Sequence, residues 1–271
     1  MSGSVERFDE QARREVGGWG RTVVRRGELL RHPVYTRFLH WSVALFFVLS
    51  LLTGFAIYSP WLYRWLAPLF GGGPMTRLLH PWFGLLFDVA FFFQFLNWFT
   101  PMRWMASDRR WLRRVKAYMT NEEKVEAEDV GFFNGGQKLY FWLIAASAAL
   151  FLLTGLPLWF DDTVPRWTVA VSYVVHDLAA LVMLAGFVIH IYEGTAAQPG
   201  TFRSMIDGAV TRAWAWTHHP AWYREVTGRD PREDYERERR RLAERERAVG
   251  AWEREQDARE LTGGAGPREL P

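Results

Sequence analysis

Two histidines, His176 and His190, lie 14 positions apart in the apolar segment that runs from Trp167 to Tyr192. In an α-helix this spacing is about 21 Å of rise and nearly a whole number of turns, so both imidazoles lie on one face. Two more histidines, His40 and His80, lie near the starts of other apolar segments. Ionisable groups inside a membrane helix are costly and usually functional, and neutral imidazole is a common metal ligand. The pattern predicts two stacked sites, each completed by a second ligand.

The elements that must position these histidines are four apolar segments of about 20 residues, each long enough to cross a bilayer. They cover residues 38–58, 81–99, 139–160 and 170–192. We therefore predict an all-α integral membrane protein, a four-helix bundle with polar cytoplasmic extensions at both termini. Three parts follow: an N-terminal extension (1–30), a membrane domain (31–228) and a tail (229–271). Alternating charges in the tail are typical of a solvated helix or of disorder.

The distribution of lysine and arginine predicts the orientation of the four segments. Basic residues are dense before the first segment, between the second and third, and after residue 200. The other two connections hold only Arg64, Arg77 and Arg166. Because lysine and arginine are enriched in cytoplasmic loops, both termini are expected in the cytoplasm, and the chain is expected in the cytoplasmic membrane of a bacterium.

This orientation fixes the depth of each histidine. His40 and His190 lie near the cytoplasmic surface, and His80 and His176 lie near the outer surface. Partners at equal depth are therefore His40 with His190 and His80 with His176. Two bis-histidine sites stacked roughly 20 Å apart in a four-helix bundle are the requirement of a cytochrome that holds two b haems.

Composition excludes several other classes of function. The chain has no cysteine, which excludes disulfides, protein-ligated iron–sulfur clusters, c-type haem attachment and thiolate metal sites. Zinc or di-iron sites need carboxylates or thiolates beside the histidines, and none lies at matching positions. The basic residues flank membrane segments, so no nucleic-acid partner is predicted. A membrane anchor or transporter in which the histidines only pack is the alternative from another class.

A few further residues suit a porphyrin. Arg37 and Arg77 each precede a histidine by three residues, where arginine can pair with a haem propionate or snorkel to lipid phosphate; both interpretations remain open. Gly54 lies 14 residues after His40, where a missing side chain would admit a porphyrin edge. Leu-Leu-Thr-Gly at 51–54 recurs at 152–155, which is a weak internal repeat.

Several short motifs occur in an order that resembles a known family. They are Phe-Leu-His-Trp (38–41), Leu-Leu-His-Pro-Trp-Phe-Gly (78–84), Phe-Asn-Gly-Gly-Gln-Lys-Leu-Tyr-Phe-Trp (133–142), Ile-His-Ile-Tyr (189–192) and His-His-Pro-Ala-Trp-Tyr-Arg-Glu (218–225). From residue 31 to 226 the chain resembles the dihaem cytochrome b, or gamma, subunit of membrane-bound respiratory formate dehydrogenases. The resemblance implies the same four haem ligands and the same pairing. Long terminal extensions and Asp88 depart from the family's pattern.

The resemblance also implies partners and a direction of electron flow. A catalytic (alpha) subunit with molybdenum or tungsten would oxidise formate outside the membrane, and an iron–sulfur (beta) subunit would pass electrons to the outer haem. The inner haem would then reduce a quinone, which makes the chain the quinone-reducing subunit of an enzyme complex. A cytochrome b subunit of a hydrogenase or of another periplasmic oxidoreductase is the alternative, and a higher oligomer of the complex stays open.

The predicted quinone site lies at the start of the third segment. Asn134 and Gln137 offer neutral donors and acceptors for a carbonyl, and Gly136 with its neighbouring glycine would let the backbone approach a flat ring. The same residues also suit an ordinary loop-to-helix turn. Resemblance to the family's quinone pocket at this motif favours the site.

Overall fold

The computed structural model describes residues 27–113 and 130–261, with side chains described as far as residue 258. Most of the 1–30 extension, the middle of the basic connector and the last ten residues lie outside the described ranges. The elements in chain order are β1 (Glu28–Leu30), α1 (Val34–Tyr58), α2 (Pro60–Leu66), α3 (Gly73–Trp98), α4 (Ala106–Arg113), α5 (Gly135–Trp159), α6 (Arg166–Tyr192), α7 (Thr201–Ile206), β2 (Ala209–Thr211), α8 (Arg212–His218), α9 (Pro220–Thr227) and α10 (Pro231–Leu261).

Four helices, α1, α3, α5 and the continuous helical stretch that contains α6, are long and apolar enough to cross a membrane. The prediction of an all-α four-helix membrane protein is confirmed. Each helix begins one or two turns before the apolar segment that predicted it, because the first turns contain polar or small residues. In α3 this places Pro81 inside the helix rather than in its first turn, and Pro74 takes the first-turn position.

The four helices form an up-and-down bundle. α1 packs along α3, α3 against α5, and α5 along α6. Among the described residues, α1 and α6 approach one another through side chains, as at Phe47 and Phe187, rather than by close backbone packing. A core of aromatic side chains fills the middle of the bundle. The bundle is therefore closed on three sides and wider between α1 and α6.

The two ends of the bundle differ. At the hairpin end, residues 59–72 and 160–165 connect α1 to α3 and α5 to α6. At the opposite end, the platform end, α1 and α5 begin and α3 and α6 finish, and all the short elements except α2 lie there. A two-stranded antiparallel ribbon pairs Glu28 with Thr211. This ribbon is a small addition to the all-α prediction, and it ties the chain before α1 to the segment after α6.

The charged tail is helical from Pro231 to Leu261. Its first turn is attached to the platform, because Asp234 is buried and accepts a 2.6 Å hydrogen bond from the hydroxyl of Tyr223. Burial, followed by this hydrogen bond, raises the pKa of Tyr223 to about 12. The packed part of the chain therefore extends a few residues beyond 228, the predicted end of the membrane domain.

Candidate haem sites

The structure brings the four membrane histidines together as two pairs. The ring centroids of His40 and His190 are 6.1 Å apart with an interplanar angle of 48°, and those of His80 and His176 are 6.2 Å apart at 69°. The first pair lies at the platform end and the second at the hairpin end. His80 contacts Thr53, which is 13 residues beyond His40 on α1, so the two levels are about 20 Å apart.

Both pairs have the separation that a shared metal would impose. Metal–imidazole bonds of about 2 Å on either side, with each ring centre about 1 Å behind its nitrogen, give ring centroids about 6 Å apart. No group of three or more histidine, aspartate or glutamate side chains that could hold a metal occurs in the described ranges. A planar cofactor iron, which takes its other four bonds from a macrocycle, fits two-histidine sites of this kind.

At the hairpin end, two threonine hydroxyls lie within hydrogen-bond distance of the Nδ1 atoms of the histidine pair. Thr53 Oγ1 lies 3.0 Å from Nδ1 of His80, and Thr154 Oγ1 lies 2.8 Å from Nδ1 of His176. Each hydroxyl donates its own hydrogen to a carbonyl of its helix, at Leu49 or Ser50 for Thr53 and at Leu150 for Thr154. The hydroxyls then accept from Nδ1–H, and at His80 the carbonyl of Ser50 is a further acceptor. Nε2 of both rings consequently keeps its lone pair for a metal.

The platform-end pair is held differently. Nδ1 of His40 is buried and has no hydrogen-bond partner in the part of the chain that the structure describes. The ring of His190 stacks on Tyr140, with centroids 4.5 Å apart and an angle of 13°. Gly186 permits this stacking, because a Cβ there would lie 3.3 Å from the Tyr140 ring and 2.7 Å from Leu143.

Glycines make room beside the histidines. A Cβ on Gly54 would lie 3.2 Å from Cε1 of His80, so the missing side chain lets the ring of this histidine approach α1 closely. Gly155, in the recurring Leu-Leu-Thr-Gly, faces Cε1 of His176 at 3.8 Å in the same way. Gly84, one turn from His80, has nothing within 4 Å of a Cβ position, which leaves open space beside the ring.

The two predicted propionate arginines differ in their surroundings. Arg37 is buried, and its Nη1 donates to the carbonyl of Ile206, the last residue of α7. Gly208 is needed there, because its φ is +83° and a Cβ would lie 3.2 Å from Nε of Arg37. Arg77 is exposed on α3 at the hairpin end. Arg37 therefore attaches α1 to the platform.

The motif predicted for the quinone forms the start of α5. Asn134 caps the helix by accepting from the backbone N–H of Gln137, and the Gln137 side chain accepts from that of Asn134. The flat ring against Gly135 and Gly136 is the indole of Trp111, which would lie 2.8 Å from a Cβ at either position. The backbone here forms the loop-to-helix turn that the sequence also suggested. Trp111 of α4 covers one side of the two glycines.

A buried ion pair attaches α4 to the same place. Lys138 Nζ lies 2.8 Å from Oδ2 of Asp108, with both side chains only 4% exposed. Lys138 also donates to the carbonyl of Arg103, and Asp108 accepts from the backbone N–H of Met105. Neither residue was identified from the sequence, because a pair separated by 30 positions leaves no local pattern.

His218 and His219, at the start of the motif at 218–225, belong to no group of three or more possible metal ligands in the described ranges. His219 is fully buried, its Nδ1 lies 2.7 Å from the carbonyl of Gly131, and its Nε2 lies 3.1 Å from a guanidinium nitrogen of Arg31. Arg31 also lies 4.6–4.9 Å from the centres of three aromatic rings. Burial first, and then the positive charge of Arg31, hold the pKa of His219 well below its usual range. This neutral imidazole is part of the packing of the platform.

Comparison with known proteins gives consistent matches over most of the chain. The sequence profile of the prokaryotic cytochrome b561 family matches residues 31–208. The nitrate-inducible formate dehydrogenase cytochrome b556(Fdn) subunit of Escherichia coli (strain K12) is 34% identical over 212 residues, which are 77% of this chain and 96% of that subunit. The formate dehydrogenase cytochrome b556(fdo) subunit of the same strain is 31% identical, over 74% of this chain and 95% of that subunit. The formate dehydrogenase cytochrome b556 subunit of Haemophilus influenzae is 30% identical, with 73% and 83% covered.

Proposed function

Because the chain belongs to the prokaryotic cytochrome b561 family, and is a membrane cytochrome b subunit of the formate dehydrogenase type, we propose that it carries electrons across the membrane between two b haems. His80 and His176 would ligate the haem at the hairpin end, and His40 and His190 the haem at the platform end. Haem iron supplies reversible one-electron oxidation and reduction. The chain's own residues hold the two irons at separate depths and keep water away from them.

The observation that carries this proposal is the pairing of four histidines from three helices at two levels. Their ring separations of 6.1 and 6.2 Å suit two ligands on one iron. If these histidines only filled space between helices, nothing would bring two separate pairs to this same ring separation. The aromatic core between the levels, which includes Phe47, Phe87 and Phe187, excludes water from the middle of the bundle.

The orientation follows from charge. Arginines and lysines are dense at the platform end and sparse at the hairpin end, and such residues favour the cytoplasmic side. The hairpin-end haem would thus lie towards the outside and the platform-end haem towards the cytoplasm. Trp61→Cys and Leu242→Cys, made singly in this cysteine-free chain, test the orientation in intact cells. A thiol reagent that does not cross the membrane should label position 61 and not position 242. Labelling of position 242 would show that the orientation is the reverse.

The partners follow from the relatives, each of which is a subunit of a formate dehydrogenase. A chain without cysteine cannot ligate an iron–sulfur cluster through thiolates. An iron–sulfur beta subunit would deliver electrons at the hairpin end, and a molybdenum or tungsten alpha subunit would oxidise formate. Purification of the tagged chain from its own organism, with identification of the associated subunits, tests this assignment.

The proposed electron acceptor is a quinone that binds near the start of α5. Asn134 and Gln137 use their side-chain oxygens in the capping box, and their amide nitrogens are not part of it. One turn further along α5, Tyr140 stacks on His190, so this helix end adjoins the platform-end haem ligand. A quinone carbonyl there would accept from an amide N–H and lie close to an electron source.

Asn134→Asp separates capping from quinone binding. Aspartate caps a helix as well as asparagine does, but it lacks the amide donor. We expect formate to reduce both haems normally in this variant while electron transfer to quinone slows about tenfold or more, as for loss of a polar contact worth about 1.4 kcal/mol. Asn134→Ser is a second cap-retaining variant with a shorter polar group. Quinone reduction at the normal rate in Asn134→Asp would place the site elsewhere, and the start of α1 is the next candidate.

A further inference from the structure

The two histidine pairs differ in what holds their outer nitrogens. At the hairpin end both Nδ1–H groups donate to threonine hydroxyls, at 3.0 and 2.8 Å. At the platform end Nδ1 of His40 has no partner among the described residues, and His190 is held by ring stacking on Tyr140. Within the described ranges, only the hairpin-end pair therefore has an Nδ1 hydrogen bond on both of its histidines.

The recurring Leu-Leu-Thr-Gly accounts for this arrangement. Its threonine accepts from the histidine of the adjacent antiparallel helix, in α1 and again in α5, and its glycine lies beside the same ring, with the Cβ position 3.2 Å from His80 in α1 and 3.8 Å from His176 in α5. The two hydroxyls are well placed as acceptors, since Thr53 is 0% and Thr154 is 7% exposed and water does not compete. The repeat is thus explained by a shared task beside His80 and His176.

From this asymmetry we infer that Thr53 and Thr154 are positioning residues that lower the midpoint potential of the hairpin-end haem relative to the platform-end haem. This inference rests on the proposed histidine ligation. A hydrogen bond from Nδ1–H pushes electron density onto Nε2 and makes the ligand more basic. A more basic ligand stabilises the oxidised iron, and outer hydrogen bonds of this kind are a recognised lever on haem potential.

The consequence is a downhill direction within the chain. An electron on the haem that His80 and His176 would hold would pass to the haem that His40 and His190 would hold; the first would be oxidised and the second reduced, without transfer of a proton. The donor is the partner subunit that the proposed function already requires. Without the two hydroxyls the midpoint potentials of the two haems would become more similar. The electron would then be shared between the two haems instead of moving towards the platform end.

The test is a redox titration of the purified complex, followed by visible absorbance, for Thr53→Val, Thr154→Val and the double variant. Each lost hydroxyl should raise the hairpin-end midpoint potential by the equivalent of about tenfold in the electron-transfer equilibrium, which is about 59 mV for a one-electron couple. The platform-end potential should not move. Repeating the titration in a His40→Ala background, which keeps only the hairpin-end haem, removes overlap between the two signals.

Matched variants separate this effect from loss of packing. Thr76→Val also removes a fully buried threonine hydroxyl, which donates to the carbonyl of Gly72 just before α3; among the described residues this hydroxyl makes no hydrogen bond to a membrane histidine, so the variant should change neither potential. Thr53→Ser and Thr154→Ser keep the hydroxyl and should restore the original potential.

Several results would overturn the inference. They are unchanged potentials in the double variant with both haems present, or a shift confined to the platform end. If the hairpin-end haem were lost from the valine variants and also from Thr53→Ala and Thr154→Ala, the two threonines would have a purely structural role and no electronic one. Failure of the proposed ligation is recognised separately, because His80→Ala would then retain two haems whatever the threonines do.

Discussion

Removal of single haem ligands should empty one site and leave the other filled. We expect two haems per chain in the parent protein and one in each of His40→Ala, His190→Ala, His80→Ala and His176→Ala. The reason is geometric: each site has one ligand on either side, and the two levels are about 20 Å apart, beyond the range in which substitutions usually couple.

Double variants give the sharper form of this prediction. Removing His40 together with His190 should leave one haem, as either single change does, because both act on the same site. Removing His40 together with His80 should leave none. The ratio of haem to protein, from the reduced alkaline pyridine spectrum, therefore follows 2, 1, 1 and 0 for the parent, the single variants, the same-pair double and the cross-pair double, if ligation follows the observed pairs.

The two kinds of single variant should also differ in reduction by formate. Without the platform-end haem, the hairpin-end haem should still be reduced by formate while quinone reduction stops. Without the hairpin-end haem, the remaining haem should be reduced by dithionite but not by formate. His218→Ala, which alters a platform histidine outside the membrane helices, serves as the control and should keep both haems. The depth argument is refuted if His40→Ala and His80→Ala empty the same site.

Two further predictions concern the platform. Asp108→Ala leaves Lys138 as a buried unpaired charge and should lower the free energy of unfolding by about 3–5 kcal/mol, seen as a lower temperature of thermal unfolding of the purified complex. The control is Asp207→Ala, which removes a partly exposed ion pair and should lower the free energy of unfolding by under about 1 kcal/mol. Equal decreases in the two variants would contradict the assignment of a buried pair. Because the pKa of His219 is lowered in the folded chain by burial and by Arg31, the unfolded chain binds the extra proton, and stability should fall as the pH drops below about 6.5, at up to about 1.4 kcal/mol per pH unit for this group. His219→Gln should reduce that slope, and an unchanged slope between pH 7.5 and 5.5 would show that His219 does not titrate differently on folding.

The sequence alone was enough to predict the four membrane-spanning segments and to predict which histidines lie at equal depth. Both depend on quantities that hold for any membrane helix: the rise per residue, the thickness of the bilayer and the retention of basic residues on one side. A spacing of 14 residues is converted directly into depth, so His40 meets His190 and His80 meets His176 without knowledge of the packing.

Only the tertiary structure determined what surrounds those histidines. The porphyrin edge predicted beside Gly54 stays a prediction, but the sequence did not show that the ring of His80 lies against this glycine. Nor did it show that Arg37, predicted to reach a propionate or a lipid phosphate, donates to the carbonyl of Ile206. The threonine of the repeated Leu-Leu-Thr-Gly was visible in the sequence, but its hydrogen bond to His80 was not. Side-chain direction and the docking of short helices such as α4 depend on which distant segments meet, and neither helical periodicity nor charge bias contains that information.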